Sequence, residues 1–381
     1  MAKYVQEHRE SSASVVLQEL KLKDLDYGAK PEQVRNWLKA YKTKKNIKAP
    51  YVGNPLDNLK LKLEDITKAE DWDGKDMHIP LLFPGAILLT GEDAEAHSKT
   101  LGQTKQGNKF YLAAVVSTPA LCKLLWDQYF ETEFTTVEDI TDDGLVLGKT
   151  QFPFLGADGN GKIVRSGVLY PLSTITKNHH GRFLGVGVSH NESTSTATDV
   201  LGSFKKGVAM ILKKIGHDKK VVDEILDNIH ILSDDATCLK KAVNQHLQNT
   251  QWGTESSCSA HMLIDGFPKN KPKLNNVDNY ERFKSHITRL LKLPRAVYGD
   301  IPWRAIKEKW LSLGKEAFCK WFEEEHINKN PNWRAASVAF GTPDDNNIVE
   351  SLNENKFRKL FSAAHRGQMA KTVYQLLLRE P

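Results

Sequence analysis

IHILSDDATCLKKAVNQHL, residues Ile229 to Leu247, passes from a short apolar run to helical spacing within a few positions. Ile229, Ile231 and Leu232 read as a buried strand, Ser233-Asp234-Asp235 closes it, and Leu239, Val243 and Leu247 recur on one helical face. The pattern predicts a carboxylate, Asp234, at the C-terminal end of a core strand, with Asp235 capping the helix that starts at Ala236. In α/β sheets that end is where ligands and metals gather, because the adjoining loops open a crevice while the strand holds its last side chain rigidly.

Upstream of this stretch the same grammar repeats. Phe152 to Ala157 (FPFLGA) reads as a strand ending in Asp158-Gly159-Asn160-Gly161, Ile163 to Thr176 as a second strand, and Phe183 to Val188 as a third, with Asn178-His179-His180-Gly181 as an exposed turn. The Ser/Thr-rich NESTSTATD then precedes a helix whose Leu201, Phe204, Val208, Ile211 and Ile215 share one face. Further back, residues 51–144 read as an α/β middle segment. Its first 25 residues are polar and irregular, Ile79 to Thr90 and Phe110 to Ser117 are strands, and Pro119 opens a helix through Leu121, Leu124, Leu125 and Tyr129. Residues 1–50 read as a helical module, with Val15, Val16 and Leu20 on one helix and Val34, Trp37, Leu38 and Tyr41 on the next. A helix-turn-helix DNA reader has this outline, but so does any helical hairpin, and the plainer reading is preferred.

Downstream, a short strand is expected over Ser257 to Ile264, carrying part of the pair Cys258 and His261. Residues 266–340 turn helical and hold four of the chain's eight tryptophans, Trp303, Trp310, Trp321 and Trp333, which are expected in a core rather than on a base-stacking surface. Residues 341–381 return to a loop and then a helix beginning at Ile348-Val349-Glu350-Ser351-Leu352-Asn353. Glu350 also suits a capping box with Asn347, a competing structural role.

Composition bounds the function. With 381 residues, 40% hydrophobic and 26% charged, the chain can bury a sizeable core in two or three units. The N-terminal MAKYVQEHRESS lacks the apolar stretch of a signal peptide, and no run approaches the roughly 20 apolar residues that span a bilayer. Four scattered cysteines do not make a disulfide framework. The net charge of +6 is concentrated: residues 266–340 hold 15 Lys and Arg against 8 Asp and Glu. That segment is where a polyanionic partner is expected.

Three acids stand out by position: Asp158 after the first strand of the series, Asp234 after the fourth, and Glu350 on a late helix. Three strands, then helix, strand and helix, then a helix bearing an acid is the order of an RNase H-like core. The expected fold is therefore α/β, a mixed sheet flanked by helices, with the first part of the core over 145–265, an all-helical insertion over 266–340, the final core helices over 341–381, and the helical N-terminal module.

The pieces LGADGNGK around Asp158, HILSDDATCLKKAV around Asp234, Cys258 and His261, and NNIVESLN around Glu350 together resemble the transposases of Mutator-like elements (MULE), a DDE-type family with an RNase H-like catalytic domain. They fall in family order, 76 residues separating the first two acids and 116 the last two. The resemblance implies that Asp158, Asp234 and Glu350 hold two Mg²⁺ or Mn²⁺ ions, with Cys258 and His261 as an accessory motif. It further implies that water cuts a DNA strand at the element's ends and that the freed 3′-hydroxyl attacks target DNA. Hard divalent cations prefer such oxygen ligands, and a pair of them about 3.5–4 Å apart clamps the attacking and leaving oxygens of a phosphodiester. The partners so implied are double-stranded DNA, both ends and target, and further copies of the chain assembled on it. The location implied is the nucleus, for which KTKKNIK at 42–48 is only suggestive.

Two departures bear on activity. Asn160-Gly161 stand where the family has Thr and an aromatic nearby, and no Cys/His zinc module precedes the core or follows it before Pro381. The alternative expectation is a transposase-derived, domesticated DNA-binding protein without catalysis. An ordinary RNase H-like nuclease, hydrolysing without strand transfer, is a third.

Overall fold

The computed structural model describes residues 63–64, 66–103, 107–151, 153–159, 167–175, 181–233, 238–243, 255–257, 262–274, 277–293 and 295–328. The N-terminal helical module and the final helices of the sequence reading lie outside these residues. Those described form a mixed α/β fold whose centre is a ten-stranded sheet flanked by helices.

The longest apolar run makes the central strand. In β5 (Lys109–Ser117) every residue after Lys109 is buried, as expected of a strand covered on both faces. Its alternation divides two cores: Tyr111, Ala113 and Val115 enter the larger, Phe110, Leu112, Ala114 and Val116 the smaller. Along its edges lie the short strands β2 (Leu81–Leu82), β3 (Ile87–Thr90) and β4 (Gly102–Gln103), all antiparallel to it, and β1 (Thr67–Lys68) is parallel to β2. The single strand expected over 79–90 is thus two, divided where Gly85 takes a φ of 83° after Pro84. The expected irregular segment contributes to the core as well, through buried Ala69 and Trp72.

On its other side β5 pairs antiparallel with β10 (Gly181–Ser189). The order continues through β9 (Val168–Ile175), β8 (Phe154–Ala157), β11 (His230–Ser233) and β12 (Glu255–Ser257). β8, β9 and β10 form an antiparallel meander, whereas β11 runs parallel to β8 and β12 parallel to β11. Leu184 is an extra residue in the β10–β9 register, and it changes which face follows: Phe183, Val186 and Val188 enter the small core, Leu184 the large one. Gly185 and Gly187 thereby alternate with Val186 and Val188, and a Cβ at Gly187 would stand 2.4 Å from Val200 Cγ1 of the covering helix.

After α1 (Gly91–His97), helix α2 (Pro119–Glu131) starts at Thr118, whose side chain accepts from Leu121 N. The 21-residue α3 (Thr194–Lys214) opens with a capping box between Ser193 and Thr196 and lays Val200, Leu201, Phe204, Val208, Ile211 and Leu212 into the large core. Where one helix was expected before β11 there are two, because Gly216 (φ 93°) ends the first and Asp218 caps α4 (Lys219–Asp227). A separate hairpin, β6 (Phe134–Thr141) with β7 (Gly144–Thr150), follows α2.

Beyond β12 the described chain is helical. Of the strand expected over Ser257 to Ile264, Ser257 belongs to β12, residues 262–266 form a wide helical turn instead, and residues 258–261 lie outside the described residues. Then come α5 (Phe267–Asn270), α6 (Val277–Leu291), α7 (Arg295–Tyr298), α8 (Ile301–Ser312) and α9 (Glu316–Phe322). They enclose their own core of Phe267, Phe283, Trp303, Trp310, Phe318 and Phe322. Trp303 and Trp310 are thus core residues, as expected, and Trp321 packs against them half-buried; Trp333 is outside the described residues. No helix among the described residues is long and apolar enough to cross a membrane.

Candidate functional site

Two neighbouring strands end together. Ala157 of β8 and Ser233 of β11 are register partners at the C-terminal ends of a parallel pair. Both are completely buried, so each strand is rigid up to the point where it leaves the sheet. The next residue in the sequence is an aspartate in each case, Asp158 and Asp234. Asp158 is half-buried at the surface of the sheet's end. Asp234, Glu350, Cys258 and His261 lie outside the described residues, as does the His179-His180 turn.

The structure adds a residue to this end that the sequence reading passed over. Glu192, between β10 and α3, lies against Gly159: a Cβ there would be 2.6 Å from Glu192 Oε1 and 2.9 Å from its Cδ. The second neighbour of this carboxylate is Cys238, at the start of the helical residues 238–243 that follow β11, whose Sγ donates to Glu192 Oε1 at 3.6 Å. One acid therefore touches chain segments that follow both β8 and β11. Its position just before the Ser193 cap also sets its charge near the positive end of a long helix. The signal available in the sequence was the acid within NESTSTATD, which was read there for its capping hydroxyls alone.

Tyr170 of β9 is buried beneath them. Burial raises its ionisation far above the ordinary phenol range, and nearby Cys238 and Glu192 push the same way against the lowering influence of Ser189 and Thr196. The ring thus presents a protonated hydroxyl at any physiological pH. In chemical terms this end of the sheet offers the carboxylate oxygens of Asp158 and Glu192, suited to hard cations, with one soft thiol beside them. Among the described residues no three His, Cys, Asp or Glu side chains converge closely enough to hold a metal ion on their own. A complete site would need at least one further ligand, and Asp234, next in sequence after Ser233, supplies the right chemistry.

A second group of titratable side chains, close to Tyr170, ties β5 and α1 to α3. Tyr111 donates to Asp199 Oδ2 at 2.5 Å, and His97 Nε2 lies 3.3 Å from the same oxygen. Its members are satisfied by one another and read as a structural tether. No family model matches the chain, and no curated protein sequence matches it.

Proposed function

We propose that the chain is a DDE-type DNA transposase of the Mutator-like kind, with an RNase H-like core and a triad of Asp158, Asp234 and Glu350. One observation carries the reading: β8 and β11 are adjacent parallel strands, and each is followed directly by an aspartate. The wider order supports it. An antiparallel meander, a helical crossover, then one strand parallel to the meander's first strand and a second parallel to that one is the order expected of an RNase H-like core.

Two Mg²⁺ or Mn²⁺ ions bound by the triad would supply Lewis acidity at the scissile phosphodiester and lower the pKa of the attacking water. The protein's own part is to fix the acids. Buried Ala157 and Ser233 anchor the two aspartates, and Glu192 adds a carboxylate beside Gly159. The helical unit beyond β12 would hold duplex DNA by its phosphates, with an affinity that falls as salt rises. A nuclear location and assembly of several copies on DNA follow from the same reading.

The experiment is calorimetric titration of Mn²⁺ and Mg²⁺ into the wild type, Asp158→Asn and Glu350→Gln, with and without duplex DNA. Binding that both substitutions weaken by roughly tenfold or more is expected. Equal binding by all three proteins in both conditions would sink the triad and leave the domesticated, non-catalytic DNA-binding protein as the better reading.

A further inference from the structure

The helical unit gathers cations on one face. On α6, Arg282, His286 and Arg289 stand at i, i+4 and i+7, so they share one side of the helix. Arg282 and Arg289 are exposed, and His286 is half-buried between them. From α8, the indole N–H of Trp310 donates to His286 Nδ1 at 3.1 Å, which joins the two helices here and brings exposed Lys309 to the same place. With Nδ1 accepting, a neutral imidazole carries its proton on Nε2, a further donor.

The surroundings are one-sided. His286 is made a weaker base by burial first and then by Lys309, Arg282 and Arg289, with no carboxylate among the described residues acting the other way. Three other cations of this unit are engaged within it: Lys307 holds both oxygens of Glu323 at 2.7 and 2.8 Å, Lys315 donates to Leu274 O, and Lys273 sits over the Trp321 ring. Among the described residues, no carboxylate pairs with Arg282, Arg289 or Lys309. Holding like charges together without partners disfavours the isolated protein, and a polyanion would relieve it.

We propose that Arg282, His286, Arg289 and Lys309 form the surface on which the helical unit grips the phosphate backbone of duplex DNA. This rests on the transposase reading for the choice of DNA. Arg282 and Arg289 are about 10.5 Å apart along the helix axis, about three base-pair rises along a duplex axis, so both can serve the same backbone. Single-stranded nucleic acid is disfavoured because Phe283 and Trp310, the aromatics that pack against His286, are buried and offer no plane for unstacked bases.

The test is anisotropy of a labelled duplex of arbitrary sequence with the full chain, over a salt series. Combined Arg282→Gln, Arg289→Gln and Lys309→Gln should weaken binding roughly tenfold or more and flatten the log K against log salt slope by about 2–3, since each cation removed leaves about one phosphate with its counterion still condensed. A charge-matched control, Lys68, Lys219 and Lys220 each to Gln, should move the slope little, and Arg282→Lys with Arg289→Lys should retain most of the affinity. An unchanged slope in the first variant, an equal change in the control, or preference for single-stranded RNA over the duplex overturns the proposal. If the wild type cleaves DNA while the Gln variant keeps its full slope, only this surface is wrong. If the wild type binds no duplex at all, the surface and the transposase reading fail together.

Discussion

Gly159 and Glu192 are packed so closely that the absence of a side chain at 159 is what admits the carboxylate: its Oε1 is 2.6 Å from where a Cβ would stand. The atoms in the way are the far end of a flexible side chain. Gly159→Ala should therefore swing Glu192 aside and leave the fold intact. On the transposase reading, both Gly159→Ala and Glu192→Gln are expected to weaken Mn²⁺ binding by roughly tenfold while the thermal midpoint stays close to that of the wild type. Calorimetry and circular dichroism measure the two. A lowered midpoint with unchanged metal affinity would make Glu192 a structural residue.

Gly207 shows the opposite case. It lies inside α3, where Ala would ordinarily stabilise a helix by up to about 1 kcal/mol. Here a Cβ would fall 2.0 Å from Cδ2 of Phe83, a ring that is only 1% exposed and packs against Phe204. Overpacking of that kind costs about 1–3 kcal/mol, so Gly207→Ala should destabilise the protein despite its better propensity. Chemical denaturation decides the sign, and adding Phe83→Leu should recover part of the loss.

His230 gives the fold an acid limit. It is fully buried in β11 beside Phe154, and burial alone takes its pKa from 6.5 to about 3. Between those values the unfolded chain binds a proton that the native state refuses. Stability is therefore complete above about pH 6.5 and falls as pH drops towards 3, by up to about 1.4 kcal/mol per pH unit from this group. Denaturation midpoints across that range should be less pH-dependent in His230→Gln than in the wild type. Parallel slopes would mean that the imidazole is protonated in the native state too.

What could be read in advance follows from how local the cause is. FYLAAVVS, Pro119 after Thr118 and the capping hydroxyls before α3 determine their elements within a few residues, and β5, α2 and α3 lie where they were expected. The β6–β7 hairpin was not anticipated, because Leu145, Val146 and Leu147 are all exposed and carry no inside-outside alternation to read. The Leu184 bulge is likewise a matter of register with β9, which a single strand does not encode. At the candidate site, the strand end before Asp158 was legible from FPFLGA. Glu192 was not, since its approach to Gly159 is created by the sheet and spans 33 positions of sequence. Asp234, Glu350, Cys258 and His261 rest on motif alone.

The last expectation concerns how the first described segment is held. Lys214, in the final turn of α3, directs its ammonium at three backbone carbonyls, Ala69 and Trp72 at 3.0 Å and Glu70 at 2.5 Å. An ammonium has three protons, so this arrangement uses all of its donor capacity on one turn of chain. The three carbonyls have lost part of their access to water, and the Trp72 ring beside them is buried. Lys214→Met keeps the length and apolar stem but no donor. Hydrogen bonds from a charged group contribute about 1.5–3 kcal/mol each when well buried; because Lys214 is exposed, the total loss should be nearer 1–2 kcal/mol. Hydrogen exchange locates the effect: amides around residues 69–72 should lose protection well before those of β5. Uniform loss across both would mean that this segment unfolds only with the whole sheet, and that Lys214 stabilises the fold globally rather than pinning its edge.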